Sequence, residues 1–386
     1  MIRQLRNFAD LGQCPPEERL PVWYKQTGGN MLRLQLLYVL ASEIIKSEME
    51  GYAYSCLKPE DIRIISTSPP KVAIVAPKYR WPSEGYPIDF ADPLVLNYRA
   101  MDSRDSLCYS YAIIFFQLLT LCHPFHGQQY DEDDDTEQKR KTIKAEYDYI
   151  GDQHGANPND IFDYDNTSSH LSPELEDIFK QFFTVGKLDL SARPSIFILR
   201  NACLKAIRNT VICKAKEGLP DYDGLRYRGR NCPHCGQKHE MPFELHTSWQ
   251  ILSGTDMLMP DNLVGGLQKV KSNIFVTGTM YLSNAINKIT QSILDPFYQK
   301  DDTTDPEYLS IKVTDNQMEI INNSDITFYV DRTELKSGKS MAVLYRKPIK
   351  MVYNLKEISG LSGKTDMVYG DFKAVGMIVI KRGDQA

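Results

Sequence analysis

Long apolar runs are missing from this chain. The longest, Tyr109 to Leu121, is interrupted by Ser110, Gln117 and Thr120, and it falls short of the ~18 residues a membrane-spanning helix needs. No membrane association is expected. Excess positive charge is missing too: 45 Lys and Arg face 50 Asp and Glu, a net charge of −5, which argues against a general nucleic-acid binder. Cysteine is sparse, eight in 386 residues with only Cys232 and Cys235 close together, which excludes a small disulfide-stapled secreted domain. Scattered thiols and the lack of an apolar signal core after Met1-Ile2-Arg3-Gln4-Leu5-Arg6 point to a cytoplasmic protein. No Gly-x-Gly-x-x-Gly phosphate loop occurs, and no Gly-x-Ser-x-Gly nucleophile elbow.

What is present fits a folded, multidomain protein: 42% hydrophobic and 25% charged residues. The expected fold is α+β, mainly helical at first and β-rich at the end. Residues 1–30, with Cys14-Pro15-Pro16 and Gly28-Gly29, read as turns and short helix. Met31 to Lys46 carries Leu, Val and Ile at helical spacing. Lys71 to Ala76 reads as a short strand, and Ser106 to Leu121 as a fully buried helix. The charged run Asp131 to Lys144 reads as a solvated loop or helix face. Pro173 to Lys205 reads as two helices broken by Gly186 to Pro194. From about Tyr308, alternating segments (LSIKV, MEII, ITFYV, MAVLY, KMVY, MIVIK) predict strands, with turns at Asn322-Asn323, Ser337-Gly338 and Ser362-Gly363. The expected divisions are an N-terminal segment 1–30, a helical domain 31–210, a cysteine-knuckle linker 211–250, a helical connector 251–305 and a β-rich domain 306–386.

The segment Tyr54-Ser55-Cys56-Leu57-Lys58-Pro59-Glu60-Asp61 resembles the catalytic loop of protein kinases, roughly His-Arg-Asp-Leu-Lys-Pro-Glu-Asn, whose Asp accepts the proton of the attacking hydroxyl. Cys56 stands at that Asp. Further on, Val72-Ala73-Ile74 matches the strand before the kinase Asp-Phe-Gly, but Val75-Ala76-Pro77 supplies no magnesium carboxylate. Phe90-Ala91-Asp92-Pro93-Leu94 falls at Ala-Pro-Glu without a clear Glu. Asp105 and Ser106-Leu107-Cys108, with His123-Pro124-Phe125-His126-Gly127, resemble the Asp-x-x-Ser-Leu-Gly helix and the Pro-Phe-x-Gly that closes it. Asp189-Leu190-Ser191-Ala192-Arg193-Pro194-Ser195 resembles Asp-x-x-x-Arg-Pro-Ser/Thr. With Tyr52-Ala53-Tyr54, Asn159-Asp160-Ile161-Phe162-Asp163 and Phe182-Phe183-x-x-Gly186, the chain is similar to bacterial kinase-like proteins found beside von Willebrand factor type A proteins and a metal-dependent serine/threonine phosphatase in tellurium-resistance-type gene clusters.

That resemblance implies a kinase-type lower lobe, a cysteine-bearing element and a small C-terminal β domain, which Ile320-Ile321-Asn322-Asn323-Ser324-Asp325 would begin. It implies a buried Asp105 bracing the catalytic-loop backbone and an Arg193 paired with the Glu of Ala-Pro-Glu; with that Glu unclear, Arg193 needs another acceptor. Only about thirty residues precede the first lower-lobe helix, so the upper lobe is lacking, and the proton acceptor (Cys56), the metal carboxylate (Val75) and the phosphate grip all fail together. Lys58 survives, but reads as a loop residue, and Asp61 as a turn cap. The expected function is therefore a non-catalytic pseudokinase scaffold that binds protein partners, a von Willebrand-type protein or the phosphatase among them, without ATP or magnesium. The alternative is a kinase of unusual active site that takes metal on Asp61, Asp92 or Asp105, with an upper lobe from another chain. The missing lobe should lay bare the face around Met31 to Glu48 and Tyr54 to Asp61, for the N-terminal segment or a partner to cover.

Cys232-Pro233-His234-Cys235-Gly236 is the turn that places two thiolates on one metal, with the Gly permitting its tightness. Cys213 and His239 would complete a structural zinc site; an empty relic and a redox pair are the other readings. His123 and His126 read as a helix-end turn rather than as ligands. Asp160, Asp163 and Asp165 read as a solvated loop, because the Gly and terminal Glu of a calcium loop are missing. The 22 tyrosines suit a protein-contact surface or half-buried strands equally.

Overall fold

The computed structural model describes residues 5–12, 14–15, 20–51, 54, 56–76, 87–101, 103–152, 155, 157–159, 170–212, 221–224, 226, 231–233, 235–236, 243–253, 268–271, 274–282, 286–294, 306–314, 317–344, 347–354 and 373–382. The chain divides into two compact units, Met1–Lys238 and His239–Ala386. It is α+β, and among the described residues every strand pairing is antiparallel. No helix among the described residues is long and apolar enough to cross a membrane.

The first unit is built on helices α1 (Ala9–Gly12), α2 (Leu20–Gln26), α3 (Gly29–Met49), α4 (Pro93–Leu96), α5 (Arg104–Thr120), α6 (Gln128–Glu132), α7 (Asp135–Lys144), α8 (Pro173–Phe183) and α9 (Ile196–Asn209). From Ser106 on, helix α5 is mostly apolar and buried on all sides, as a core helix should be. Helix α8 is amphipathic: Leu175, Phe179, Phe182 and Phe183 fall on one face, and Phe179 and Phe183 pack edge-to-face with Phe115 and Phe116 of α5. Its start is set by Ser172, whose hydroxyl accepts the Leu175 amide, and by Pro173 in the first turn. The charged run becomes α7, which buries nothing; Asp134 caps it, and acidic residues precede basic ones along the helix dipole. Strands β1 (Ile62–Thr67) and β2 (Pro70–Ile74) form a hairpin after the Pro59–Asp61 turn. A second, short hairpin pairs β3 (Thr210–Ile212) with β4 (Asp221–Asp223).

The N-terminal segment packs into the same core as the face expected to lie bare. Residues Arg6 to Phe8 run along β1: the Phe8 amide donates to Ile62 O at 3.1 Å, and the Ile64 amide donates to Arg6 O at 2.9 Å. Phe8 and Leu11 join the core that holds Leu34, Leu37, Leu40 and Ile44 of α3. Among the described residues, no large apolar side chain of α3 or of 54–61 is exposed.

The second unit is a sandwich. A four-stranded sheet runs β13 (Ser340–Val343), β10 (Met318–Asn322), β9 (Glu307–Val313), β8 (Ile286–Thr290). A seven-stranded sheet runs β12 (Thr333–Leu335), β11 (Phe328–Val330), β14 (Ile349–Asn354), β15 (Lys373–Arg382), β5 (Phe243–Ser253), β7 (Ile274–Leu282), β6 (Gln268–Lys271). Alternate residues such as Met318, Ile320, Ile349, Met351 and Tyr353 point into one shared core. Asn322 is fully buried and satisfied: its amide donates to Ile326 O and Leu335 O, and its carbonyl accepts from Ser324.

The helical connector expected over 251–305 is corrected. Its described residues are strands β6, β7, β8 and the end of β5, with one helical turn at Gln291–Leu294. Ile286, Ile289 and Ile293 have helical spacing, but β-branched and aromatic residues dominate 274–290, and pairing with β5 and β9 decides the outcome. The β module therefore begins near Phe243, inside the expected 211–250 linker, rather than at 306. The Ser362-Gly363 turn lies outside the described residues.

Candidate functional site

The segment that resembles a catalytic loop is packed shut by its neighbours. Cys56 is 4% exposed. Its Sγ lies 3.5 Å from Ser110 Oγ of α5 and 3.8 Å from Pro87 O, and the same hydroxyl donates to Phe90 O at 2.8 Å. The Cys56 thiol thus faces a helix and a backbone carbonyl. Pro59-Glu60-Asp61 is a 3-10 turn, and the buried Asp61 carboxylate accepts the Lys58 amide at 3.0 Å. This is the cap expected of it. Val75 follows β2, is 46% exposed, and donates its amide to Asp61 O.

Arg193 has its acceptor. Its guanidinium meets the Asp92 carboxylate with both Nη groups, at 2.5 and 2.9 Å, and both side chains are buried. Nε donates to Gly186 O and Nη2 to Lys187 O, while the guanidinium carbon lies over the Tyr109 ring. Asp92 also caps α4 by accepting the Leu94 amide. One planar group therefore ties the α8–α9 loop to the start of α4, as a bidentate pair can.

Asp105 is not the buried brace that the resemblance implies. It lies exposed in the first turn of α5, where Ser103 accepts its amide, and its own carbonyl accepts weakly from Arg193 at 3.4 Å. A short polar side chain four residues after Ser106 in an apolar helix, Ser110, reaches Cys56 instead. That serine near the start of an apolar run was the available sequence signal.

His123 and His126 hold a turn, as read. The His123 Nε2–H donates to Asp89 O at 2.9 Å while Nδ1 accepts the Phe125 amide, and burial pulls its pKa down to about 3. His126 stacks on Tyr130 at 3.8 Å, and its imidazole, 3.8 Å from Asp89 Oδ1, holds that carboxyl below the usual range.

The cysteine turn forms as expected. Gly236 has φ +69°, which favours glycine, and its amide donates to Cys232 O at 2.9 Å. Cys232 is buried and Cys235 half-buried, packed with Tyr222 and Val211 in a cluster of their own. Cys213 and His239 lie outside the described residues, as do Asp160, Asp163 and Asp165. Among the described residues, no group of three or more His, Cys, Asp or Glu side chains could hold a metal ion.

A buried polar cluster at the start of α3 has no counterpart in the sequence reading. Arg33 is fully buried, 3.8 Å over the Tyr24 ring, and donates to Gly29 O, Tyr24 O, Leu11 O and Thr27 Oγ1. Burial pulls its pKa down and pushes that of Tyr24 up. Nearby, Asp221 accepts the amides of Asn30 and Met31, and burial raises its carboxyl. The signal for it was indirect: a long helix begins at Gly28-Gly29 with no capping side chain in sequence.

No family model matches this chain, and no curated protein matches it.

Proposed function

We propose that residues 31–210 form a kinase-type lower lobe that transfers no phosphate, and that the chain acts as a binding or scaffold protein. The enclosure of Cys56 carries this reading. Where a kinase presents a carboxylate to a substrate hydroxyl, a thiol is buried against Ser110 and a carbonyl, and Val75 brings no metal ligand. The Arg193–Asp92 pair supports descent from that lobe, with Asp92 replacing the Glu of Ala-Pro-Glu. Protein contact is supported by Tyr98 and Met101, 87% and 90% exposed on the loop after α4. By resemblance, the partners are a von Willebrand-type A protein or a metal-dependent phosphatase encoded nearby. The cysteine turn is read as half of a structural zinc site, completed by Cys213 and His239; zinc analysis against a Cys232→Ser variant tests it.

A thermal-shift series with ATP and magnesium tests the central reading. No shift is expected up to millimolar nucleotide, and no transfer from labelled ATP. A saturable shift would overturn it.

A further inference from the structure

We propose that Arg200 anchors a binding site at the seam of helices α3 and α9 for a carboxylate carried on an apolar body. Arg200 is buried, 5% exposed, yet it meets no acceptor among the described residues. Of its three nitrogens Nε alone is wholly enclosed without a hydrogen-bond partner, which leaves the Nη pair to meet an incoming ligand. The contacts of its guanidinium are with two rings, 5.9 Å from the centroid of Tyr38 and 5.8 Å from that of Phe197. Ring faces attract a cation, but they do not satisfy its N–H groups, and a buried charge without a partner is costly. Two other buried guanidiniums of this unit have their acceptors: Arg193 has Asp92, and Arg33 donates to four oxygens.

The fold holds this group in a fixed place. Phe197 precedes Arg200 by three residues and so shares its face of α9. On α3, Tyr38 follows Leu34 by one turn, and Leu34 O accepts from the Cys203 thiol at 3.0 Å, one turn beyond Arg200. Helix α9 is thereby set against α3 beside the site. Phe197 is exposed and Tyr38 half-buried, so the guanidinium lies at the rim of the seam, between an outer and an inner ring. Its planar fork matches a carboxylate with two parallel hydrogen bonds. One guanidinium balances one negative charge. Lys205, further along α9, is already 2.8 Å from Glu174. The negative ring faces disfavour a dianion but offer an apolar wall to the body of the ligand. The start of α9, where Ser195 makes no side-chain cap, adds the positive end of a helix dipole.

The test is calorimetric titration of the full chain with benzoate at pH 8 and constant ionic strength, beside benzamide and inorganic phosphate. Benzoate should saturate a single site in the millimolar range. Benzamide, of the same shape without the charge, and phosphate, a dianion at this pH, should each bind at least tenfold more weakly. In Arg200→Met, which keeps the length without the charge, benzoate affinity should fall at least tenfold. The same variant without ligand should unfold at an unchanged or higher urea concentration, because no acceptor is left behind. Arg200→Lys, which keeps the charge but not the fork, should retain part of the binding. Benzoate that does not saturate, or that binds Arg200→Met as tightly as the parent, would overturn the site. A clear loss of stability in Arg200→Met would overturn it as well, by marking the guanidinium as structural. Phosphate binding as tightly as benzoate would overturn the assignment to a carboxylate.

Discussion

Glu48 lies in the last turn of α3 with its Oε1 enclosed and without a hydrogen-bond partner. Burial raises its pKa from the ordinary 4.5 to about 7, while nearby Arg104 pulls the other way. Because the folded value lies above the unfolded one, the protonated carboxyl favours the folded state. That contribution is complete below about pH 4.5 and is lost as the pH rises through 7. Glu48→Gln should therefore flatten the fall in melting temperature between pH 5 and 8. At pH 8 it should melt about 1–2 °C above the parent, a figure already reduced for solvent screening. Calorimetry at the two pH values checks this. Ala145 closes α7 with φ +56°, its amide and that of Glu146 turned back on Lys141 O. A side chain in this conformation costs about 1 kcal/mol that glycine avoids, so Ala145→Gly should raise stability by roughly 0.5–1 kcal/mol in urea unfolding.

At the scale of elements, much of the helical unit was legible in the sequence, and 251–305 was not. Helices α3, α8 and α9 follow from apolar residues at helical spacing and α5 from an apolar run too long for a strand, and each falls within a few residues of its expected place. The run 274–290 has isoleucines that fit either period, so its state is decided by partners far along the chain. In the candidate site, Asp61 as a turn cap and His123 as a helix-end residue were readable because their partners lie within a few residues. Asp92 for Arg193 and Ser110 for Cys56 were not, since those pairs are separated by 101 and 54 positions. Asp92→Ala would leave the Arg193 guanidinium buried without its counter-charge. Such losses cost about 3–5 kcal/mol, and chemical denaturation should show a change of that size in the first unit. If Asp92→Ala and Asp92→Asn both cost under ~1 kcal/mol, the pair is not an anchor.

On the scale of the whole molecule, each unit has its own core, and that of the second draws on both of its sheets. Residues 239–386 expressed alone should fold and unfold in a single cooperative step, visible as dispersed amide resonances and one calorimetric transition. Failure to fold would show that the sandwich depends on the preceding unit. The sequence by itself determined that the chain has a helical part followed by a β part, that no carboxylate stands at positions 56 and 75, and that two cysteines share a turn. These are matters of residue identity and of periods spanning a few positions. Only the tertiary structure decided that Arg6 to Phe8 pair with β1, that Arg193 takes Asp92, and that Asp221 caps a helix 190 residues upstream. Each of these depends on which distant groups the folded backbone brings within hydrogen-bonding distance, and local periodicity carries no record of that.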